Sequence, residues 1–397
     1  MENERSMPAL SSYRWVILAV LSLMSMTSSY VQFQVSALAT RIMPVLHITP
    51  TQFSSLLMAP MLVAVFLSIP GGTLGDKFGP KKVVASGFII SIIGAFGRLV
   101  ANNFATMMIA LLMFGVYMAL GNANSTKIIG TWFKQDTGIA MGIWFGCGTI
   151  GTTLSQLTGV LFKTVQAAYM FSSCVLVVVA CFWVLLIRNA PKGEAIPKRE
   201  PVTKYFGVAA RSKRVWMLCI CGGIVSAASM SFIGTLPQIL INSKGINPAV
   251  AGVMTSCASM GALVGSMVGP AIIKKLNNAR PFMLFAVILS GIMIFMNTKL
   301  TGGALMMCNL ALGGLFGSMT GPVLKGMTIQ LPEIGPKYAG SAGGIGGTVS
   351  MLLSYVVPVM ISAIAGHNPV MTIGLQALLH VSAVIFILML PDANHVK

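Results

Sequence analysis

Acidic residues are scarce in this chain: its 397 residues include only eight Asp and Glu, and charged residues of both signs make up 9%. A soluble domain carries about 25% charged residues, so this chain has too few to cover a water-exposed surface, and lipid is the solvent that suits it. The eight acids all lie in predicted cytoplasmic segments or at their edges: Glu2, Glu4, Asp76, Asp136, Glu194, Glu200, Glu333 and Asp392. Because the hydrocarbon core then lacks a carboxylate, we do not expect a cationic-drug exporter or carboxylate-based proton coupling.

Groupings that carry catalysis or bind metals are missing as well. The seven cysteines all fall in apolar runs, without metal-ligand spacing, and are expected to be small buried hydrophobes. No nucleophile–base set or phosphate-binding loop is found. We therefore predict no enzyme activity, no catalytic residue, no metal and no cofactor. The first apolar run, from Tyr13, is too long for a signal peptide and is interpreted as a membrane span.

Apolar runs of about 20 residues recur along the chain, which is the length that crosses a bilayer as a helix. Twelve spans are predicted, at 13–38, 51–74, 82–101, 104–128, 138–162, 166–188, 215–240, 249–272, 282–298, 303–328, 339–364 and 371–391. With the N-terminus inside, nineteen of the 26 Lys and Arg lie in cytoplasmic segments, five lie outside, and two lie within spans. This bias predicts that both termini are cytoplasmic, and it explains the basic composition without nucleic-acid binding.

The longest polar break, 189–214, divides the spans into two sets of six, at 1–188 and 215–397. Lys127 and Lys325 stand at matching positions of the two halves, each near the end of a glycine-containing span. We therefore predict an all-α membrane protein with twelve transmembrane helices in two pseudo-symmetric six-helix bundles.

A short motif lies between the second and third spans, Gly72-Thr-Leu-Gly-Asp-Lys-Phe-Gly-Pro-Lys-Lys82. It resembles the signature of the major facilitator superfamily, with Pro80 in place of one basic residue. The alternative is an ordinary charged loop. The resemblance implies the major facilitator fold, with Asp76 latching the two bundles on the cytoplasmic side. It also implies gating or conformational roles for Gly72, Asp76, Lys77, Gly79 and Lys81.

Two glycine-rich stretches lie in the fifth and eleventh spans. Small residues at a spacing of four let helices pack closely, and this role is predicted for Gly142, Gly146, Gly148, Gly151, Gly343 and Gly347. The paired stretches resemble the nitrate/nitrite porters and related small-anion permeases of the cyanate and oxalate type. Nitrate porters carry substrate-binding arginines in their second and eighth helices, and this chain has none there, which argues against nitrate itself.

Lys127 and Lys325 are the two cations within predicted spans. A lysine there is costly unless it faces a water-filled cavity or a partner, and no acid lies close by in the sequence. Either they attract an anionic solute, or they extend to the nearby membrane surface. Five uncharged residues are also candidates for solute binding: Asn122, Asn124, Tyr30, Gln34 and Gln238. Each of these side chains could equally form its hydrogen bonds with a neighbouring helix. We expect Arg98 to anchor the span at the membrane interface.

Together these features predict a secondary active or facilitative transporter that moves a small anion by alternating access. Two alternatives stay open: an exporter of a neutral or amphipathic compound, and a transport-inactive membrane sensor on the same fold. We expect a monomer, surrounded by lipid in a bacterial inner membrane, with a small solute as its partner.

Overall fold

The structure is a computed structural model that describes residues 12–191, 210–273, 275–276, 278–331 and 334–389. Within these ranges the regular structure is entirely helical. The helices are α1 (Tyr13–Ala37), α2 (Ala39–Leu46), α3 (Pro50–Phe78), α4 (Pro80–Gly97), α5 (Phe104–Phe133), α6 (Thr137–Thr158), α7 (Val165–Leu186), α8 (Lys213–Asn242), α9 (Pro248–Ile273), α10 (Arg280–Met296), α11 (Gly303–Gln330), α12 (Gly335–Ala365) and α13 (Pro369–Met389). A short 3₁₀ turn, Lys134–Asp136, joins α5 to α6.

Twelve long helices match the twelve predicted spans, and the short α2 follows α1 after a break at Leu38. Ten of the described helices are long and apolar enough to cross a membrane by themselves. The other two are α6, which is rich in glycine and threonine, and α10, which has 17 residues. The prediction of an all-helical membrane fold is confirmed.

The signature motif is more helical than the sequence suggested. The second span was predicted to end at residue 74, whereas α3 continues to Phe78 and includes Gly72, Asp76 and Lys77. The helix ends at Gly79, whose φ of +88° is accessible mainly to glycine, and Pro80 begins α4. The turn is therefore confined to Gly79. Asp76 and Lys77 project from the last turn of α3, and Lys81 and Lys82 project from the first turn of α4.

Each hydrophobic cluster draws its buried members from one half of the chain. Two clusters lie between Ile17 and Ile187, and two lie between Val215 and Ile387. From the second half, partly buried side chains pack on the first-half clusters: Met230, Met351 and Tyr355. The core is thus split into two bundles that meet along a boundary. The linker limits of 189 and 214 stay a prediction, since residues 192–209 lie outside the described ranges.

The two halves repeat the same internal hydrogen bond. The Ser91 hydroxyl in α4 donates to the Phe114 carbonyl in α5 (3.0 Å), and the Ser290 hydroxyl in α10 donates to the Gly313 carbonyl in α11 (3.1 Å). Both partners shift by the same number of residues from one half to the other. This repetition is what a duplicated six-helix unit produces.

Candidate functional site

Glycines near the end of α3 let α5 approach it closely. A Cβ atom on Gly75 would overlap the Asn124 side chain, and one on Gly71 would meet the Leu120 side chain. The Asn124 amide donates to the Gly71 carbonyl (3.0 Å), which ties the two helices together. Because α3 and α5 run in the same direction, their last turns lie side by side at the face where α1 begins, the predicted cytoplasmic face.

Lys127 lies about one turn beyond Asn124, and its ammonium reaches across to α3. There it donates to an oxygen of the Asp76 carboxylate (2.6 Å) and to the Gly72 carbonyl. Both side chains are partly open to solvent, with 18% of Lys127 and 31% of Asp76 exposed. The sequence interpretation left Lys127 without a neutralising acid, and the structure corrects this. Asp76 is distant along the chain, but the parallel packing of α3 and α5 brings it into contact.

The other charged residues of the motif have different surroundings. The ammonium of Lys77 is exposed and lies 5.2 Å from the centre of the Phe78 ring. The described partner of Asp76 is Lys127, which lies in the same half of the molecule. A latch from Asp76 to the second bundle therefore stays a prediction.

Gly79 and Lys81 contact a residue that sequence reasoning did not single out. Asn189 accepts a hydrogen bond from the backbone N–H of Lys81 (2.8 Å), and a Cβ on Gly79 would lie 2.9 Å from its amide nitrogen. The Trp183 indole donates to the Lys81 carbonyl (3.0 Å). These contacts hold the α3–α4 turn against the end of α7, and they use the backbone of Lys81.

Three of the uncharged candidates are buried between helices of the first half. The Gln34 amide donates to the Ala168 carbonyl (2.9 Å), and the Tyr30 hydroxyl pairs with Thr158 (2.8 Å). Asn124 is fully buried against α3. In this conformation all three link neighbouring helices, which is the alternative that the sequence left open for them.

The remaining three candidates are less enclosed or less fully described. Asn122 in α5 and Gln238 in α8 are partly exposed. Gln238 lies about one turn beyond Gly234, which faces α3 near the opposite end of the molecule. Lys325 lies in α11 at the position that matches Lys127 in α5, and its side chain is outside the described part of the chain. A role of these residues in binding a solute stays a prediction.

The predicted packing glycines fall into two groups. A Cβ on Gly151 would overlap the Met26 carbonyl of α1, one on Gly148 would lie 2.9 Å from the Ser25 hydroxyl, and one on Gly146 would lie 3.3 Å from Leu263. In contrast, the positions beside three others are open: Gly142, Gly343 and Gly347. Close packing therefore accounts for glycine at Gly148 and Gly151, but it does not account for the three open positions in this conformation.

Arg98 lies inside the first bundle, so the expectation of an interface anchor is wrong. Its side chain is 2% exposed and its guanidinium lies 4.5 Å from the centre of the Tyr169 ring. It donates to the Ser172 hydroxyl (3.1 Å) and to the Val31 carbonyl (3.5 Å). Three helices, α1, α4 and α7, therefore meet around one cation, and the long Arg side chain can reach this position because it starts at the end of α4.

One polar junction crosses the boundary between the bundles near the face opposite the termini, the predicted outer face. The Ser36 hydroxyl of α1 donates to the Gly234 carbonyl of α8 (2.6 Å) and accepts from the Gln156 amide of α6 (3.4 Å). A Cβ on Gly252 of α9 would overlap the Gln156 carbonyl. Two helices from each bundle thus meet at this point.

Two further hydrogen bonds join the bundles near the same face. The Ser54 hydroxyl in α3 pairs with the Ser362 hydroxyl in α12, and the Ser256 hydroxyl in α9 donates to the Thr153 carbonyl in α6 (3.3 Å). Sequence reasoning missed these serines, since isolated serines in apolar helices give no local signal of their partners. Small polar groups close the boundary here, without a charged side chain in these three contacts.

An apolar groove of about 440 Å³ lies between α9 and α11. Its lining is almost wholly apolar, and Val253, Met260 and Leu312 contribute exposed side chains. Since no charged residue lines it, this groove is not suited to an anion.

Two bundles of six long helices, most of them apolar enough to span a bilayer, define a multi-pass membrane transporter of the paired-bundle class. The chain belongs to the Major Facilitator Superfamily, whose model matches residues 16–358. A solved structure of a bacterial homologue of the human lysosomal transporter Spinster, in an inward-facing and unoccupied conformation, shares the fold with a TM-score of 0.73. It is 14% identical and covers 96% of both chains.

Several similar proteins are transporters of small solutes. The nitrite extrusion protein of Bacillus subtilis is 23% identical over 90% of this chain and 89% of its own length. A probable nitrate transporter, NarT of Staphylococcus haemolyticus, is 24% identical over 80% of this chain and 81% of its own. The cyanate transport protein CynX of Escherichia coli is 23% identical over 65% of this chain and 67% of its own.

Proposed function

We propose that this chain is a secondary active or facilitative transporter that moves a small anion across a bacterial inner membrane by alternating access. One observation carries the proposal: the Lys127 ammonium, on a membrane-spanning helix, is partly exposed and already binds a carboxylate oxygen, that of Asp76. A carboxylate oxygen presents the same chemistry as an oxygen-bearing anionic solute, and an ammonium binds either through a charge-assisted hydrogen bond.

The names of the similar proteins support a negative charge for the solute. Nitrite, nitrate and cyanate, which give these relatives their names, differ in shape and share a negative charge. A relative named as a probable sulfoacetate transporter extends the range to a larger anion, with 24% identity over 87% of this chain. The shared property is charge, so we expect selection by charge first and by size second.

The scarcity of acidic residues also favours an anionic solute. A cation would need carboxylates along its path, and the acids of this chain lie at the ends of its spans. Lys325, at the matching position of the second bundle, is proposed as the second cation that attracts the solute. Asn122 and Gln238, which are partly exposed, are proposed as polar contacts along the same path.

The contacts between the bundles support a transport cycle. Hydrogen bonds at Ser36, Ser54 and Ser256 hold the bundles together near the predicted outer face. We propose that these contacts break, and that the opposite face closes, when the site turns outward. With both termini on the cytoplasmic side, Lys127 then lies near the cytoplasmic mouth in the conformation described. The transporter is expected to work as a monomer in lipid, without a cofactor or enzymatic activity.

The two alternatives receive less support. A neutral or amphipathic compound would suit an apolar path, but the apolar groove lies between α9 and α11 and includes none of the predicted solute-binding residues. A transport-inactive sensor would bind an anion without moving it.

Flux measurements with purified protein in liposomes test the proposal. Liposomes loaded with nitrite, cyanate or sulfoacetate are compared with liposomes loaded with a neutral solute and a cation of similar size. We expect saturable, protein-dependent movement of at least one anion and none of the neutral or cationic solutes. Movement of the neutral solute alone would favour the exporter, and anion-dependent thermal stabilisation without flux would favour the sensor.

A further inference from the structure

The ion pair between Lys127 and Asp76 has a consequence for the empty transporter. A lysine ammonium has three protons to donate, and two of them have described acceptors, the Asp76 carboxylate and the Gly72 carbonyl. When the predicted cytoplasmic face closes over this region, water is withdrawn from the ammonium. An unpaired cation in such surroundings is costly, and a paired one is much less so.

We propose that Asp76 is a tethered counter-ion that replaces the transported anion on Lys127 when the transporter is empty. The inference rests on the proposed function. A bound anion displaces the Asp76 carboxylate from Lys127, and the carboxylate returns when the anion leaves. The ammonium is therefore neutralised both in the loaded and in the empty transporter, and both forms can change conformation.

The geometry suits an exchangeable partner. Asp76 lies in the last turn of α3, next to the helix end at Gly79, and 31% of its side chain is exposed. A pair that is partly exposed is held weakly, so a solute present at moderate concentration can compete with it. The Gly72 carbonyl keeps the ammonium in place while the anionic partner changes, because its hydrogen bond to Nζ does not involve Asp76.

The sequence of the second half has no acid at the position that matches Asp76. Gly269 approaches Met319 as Gly71 approaches Leu120, which aligns the end of α9 with the end of α3. At the position that this alignment matches to Asp76, the second half has Lys274, which is a base and not an acid. The tethered counter-ion is therefore assigned to Lys127.

The experiment separates exchange from net movement. Liposomes with the purified protein are loaded with a labelled anion that the wild type transports, and the membrane potential is clamped with potassium and valinomycin. Efflux is measured with the same anion outside, which allows exchange, and without it, which requires the empty transporter to return. The wild type is expected to support both.

Asp76→Asn removes the tethered charge and keeps the size of the side chain. We expect exchange within about twofold of the wild type and net efflux slowed by about tenfold or more, because the empty transporter then has to close over an unpaired ammonium. Asp76→Glu should restore net efflux. The double variant Asp76→Asn/Lys127→Gln has no charge to neutralise at this position. Its ratio of net efflux to exchange should therefore return towards that of the wild type, although net efflux and exchange both need a higher anion concentration.

Asp136→Asn is the matched control, since it breaks the other described ion pair at the same face, Arg14–Asp136 (2.8 Å), and should leave the ratio unchanged. If the Asp76→Asn variant does not purify as folded protein, Asp76→Ser removes the same charge. The inference is overturned if Asp76→Asn keeps the wild-type ratio, or if the double variant stays as slow in net efflux as the single one, which is the result of a purely structural latch. Failure of the proposed function looks different, because the wild type would then move no anion in either assay.

Discussion

The Ser36 hydroxyl of α1 donates a hydrogen bond of 2.6 Å to the Gly234 carbonyl of α8, across the boundary between the two bundles. Neither residue is charged, and Ser36 is fully buried. The closure of the predicted outer face therefore depends on close backbone approach and small polar groups, whose individual contributions are modest, about 1 kcal/mol for a hydrogen bond. Such a boundary can open and close without the separation of buried charges.

A disulfide across this boundary should stop transport. Ser54 and Ser362 have hydroxyls in contact, so the double variant Ser54→Cys/Ser362→Cys brings two thiols within reach of a bond. Oxidation should abolish anion flux, because the bundles can no longer separate at this face, and a reducing agent should restore it. The single variants, treated in the same way, control for the seven native cysteines. Full flux in the oxidised, cross-linked protein would show that this contact does not open during transport.

Replacement of Lys127 should weaken the binding of the anion. Lys127→Gln removes the ammonium and keeps a side chain that can still donate a hydrogen bond. Loss of a charge-assisted hydrogen bond corresponds to an increase in KM of about tenfold or more. Concentration-dependent flux gives this value, and the same measurement on Lys325→Gln tests the matching position of the second bundle.

The control for this comparison is Lys82→Gln, since Lys82 is exposed at the same face. Its KM should stay at the wild-type value. Equal KM values for wild type, Lys127→Gln and Lys325→Gln would remove both lysines from the binding site and favour extension to the membrane surface.

Gly151 should tolerate no side chain. A Cβ there would overlap the Met26 carbonyl, which belongs to the backbone of α1 and cannot move away by a change of rotamer. Gly151→Ala should therefore destabilise the protein by about 1–3 kcal/mol. The melting temperature in detergent measures the effect. Gly142→Ala, in the open part of the same helix, should leave the melting temperature unchanged. An equal loss in both variants would indicate helix-wide effects and not local packing.

Arg98 should support stability and not binding. Arg98→Ala leaves a cavity and removes the hydrogen bonds to Val31 and Ser172, and it should cost about 3 kcal/mol of stability. We expect a lower melting temperature and an unchanged KM for the anion in the protein that remains folded. A raised KM with an unchanged melting temperature would assign Arg98 to the path of the solute instead.

Local and periodic features of this fold could be predicted from the sequence. The spans at 13–38 and 371–391 lie within two residues of α1 and α13, because hydropathy is a property of consecutive residues that does not depend on the rest of the fold. The duplication was visible in the matching positions of Lys127 and Lys325. The end of α3 was placed too early, since Gly and a charged pair resemble a loop in sequence and the helix was continued by its packing against α5.

The amino-acid sequence by itself determined that this protein is a membrane protein with twelve spans and few acids, because composition and hydropathy decide which solvent a segment can accept. The transporter class followed from the resemblance of the motif at 72–82 to a family signature. Only the tertiary structure decided that Asp76 neutralises Lys127, that Arg98 lies inside a bundle, and that Ser36 meets Gly234 at a closed face. Each of these contacts joins residues that are far apart along the chain. Which helices pack against each other decides such a contact, and the local sequence around either residue does not reveal it.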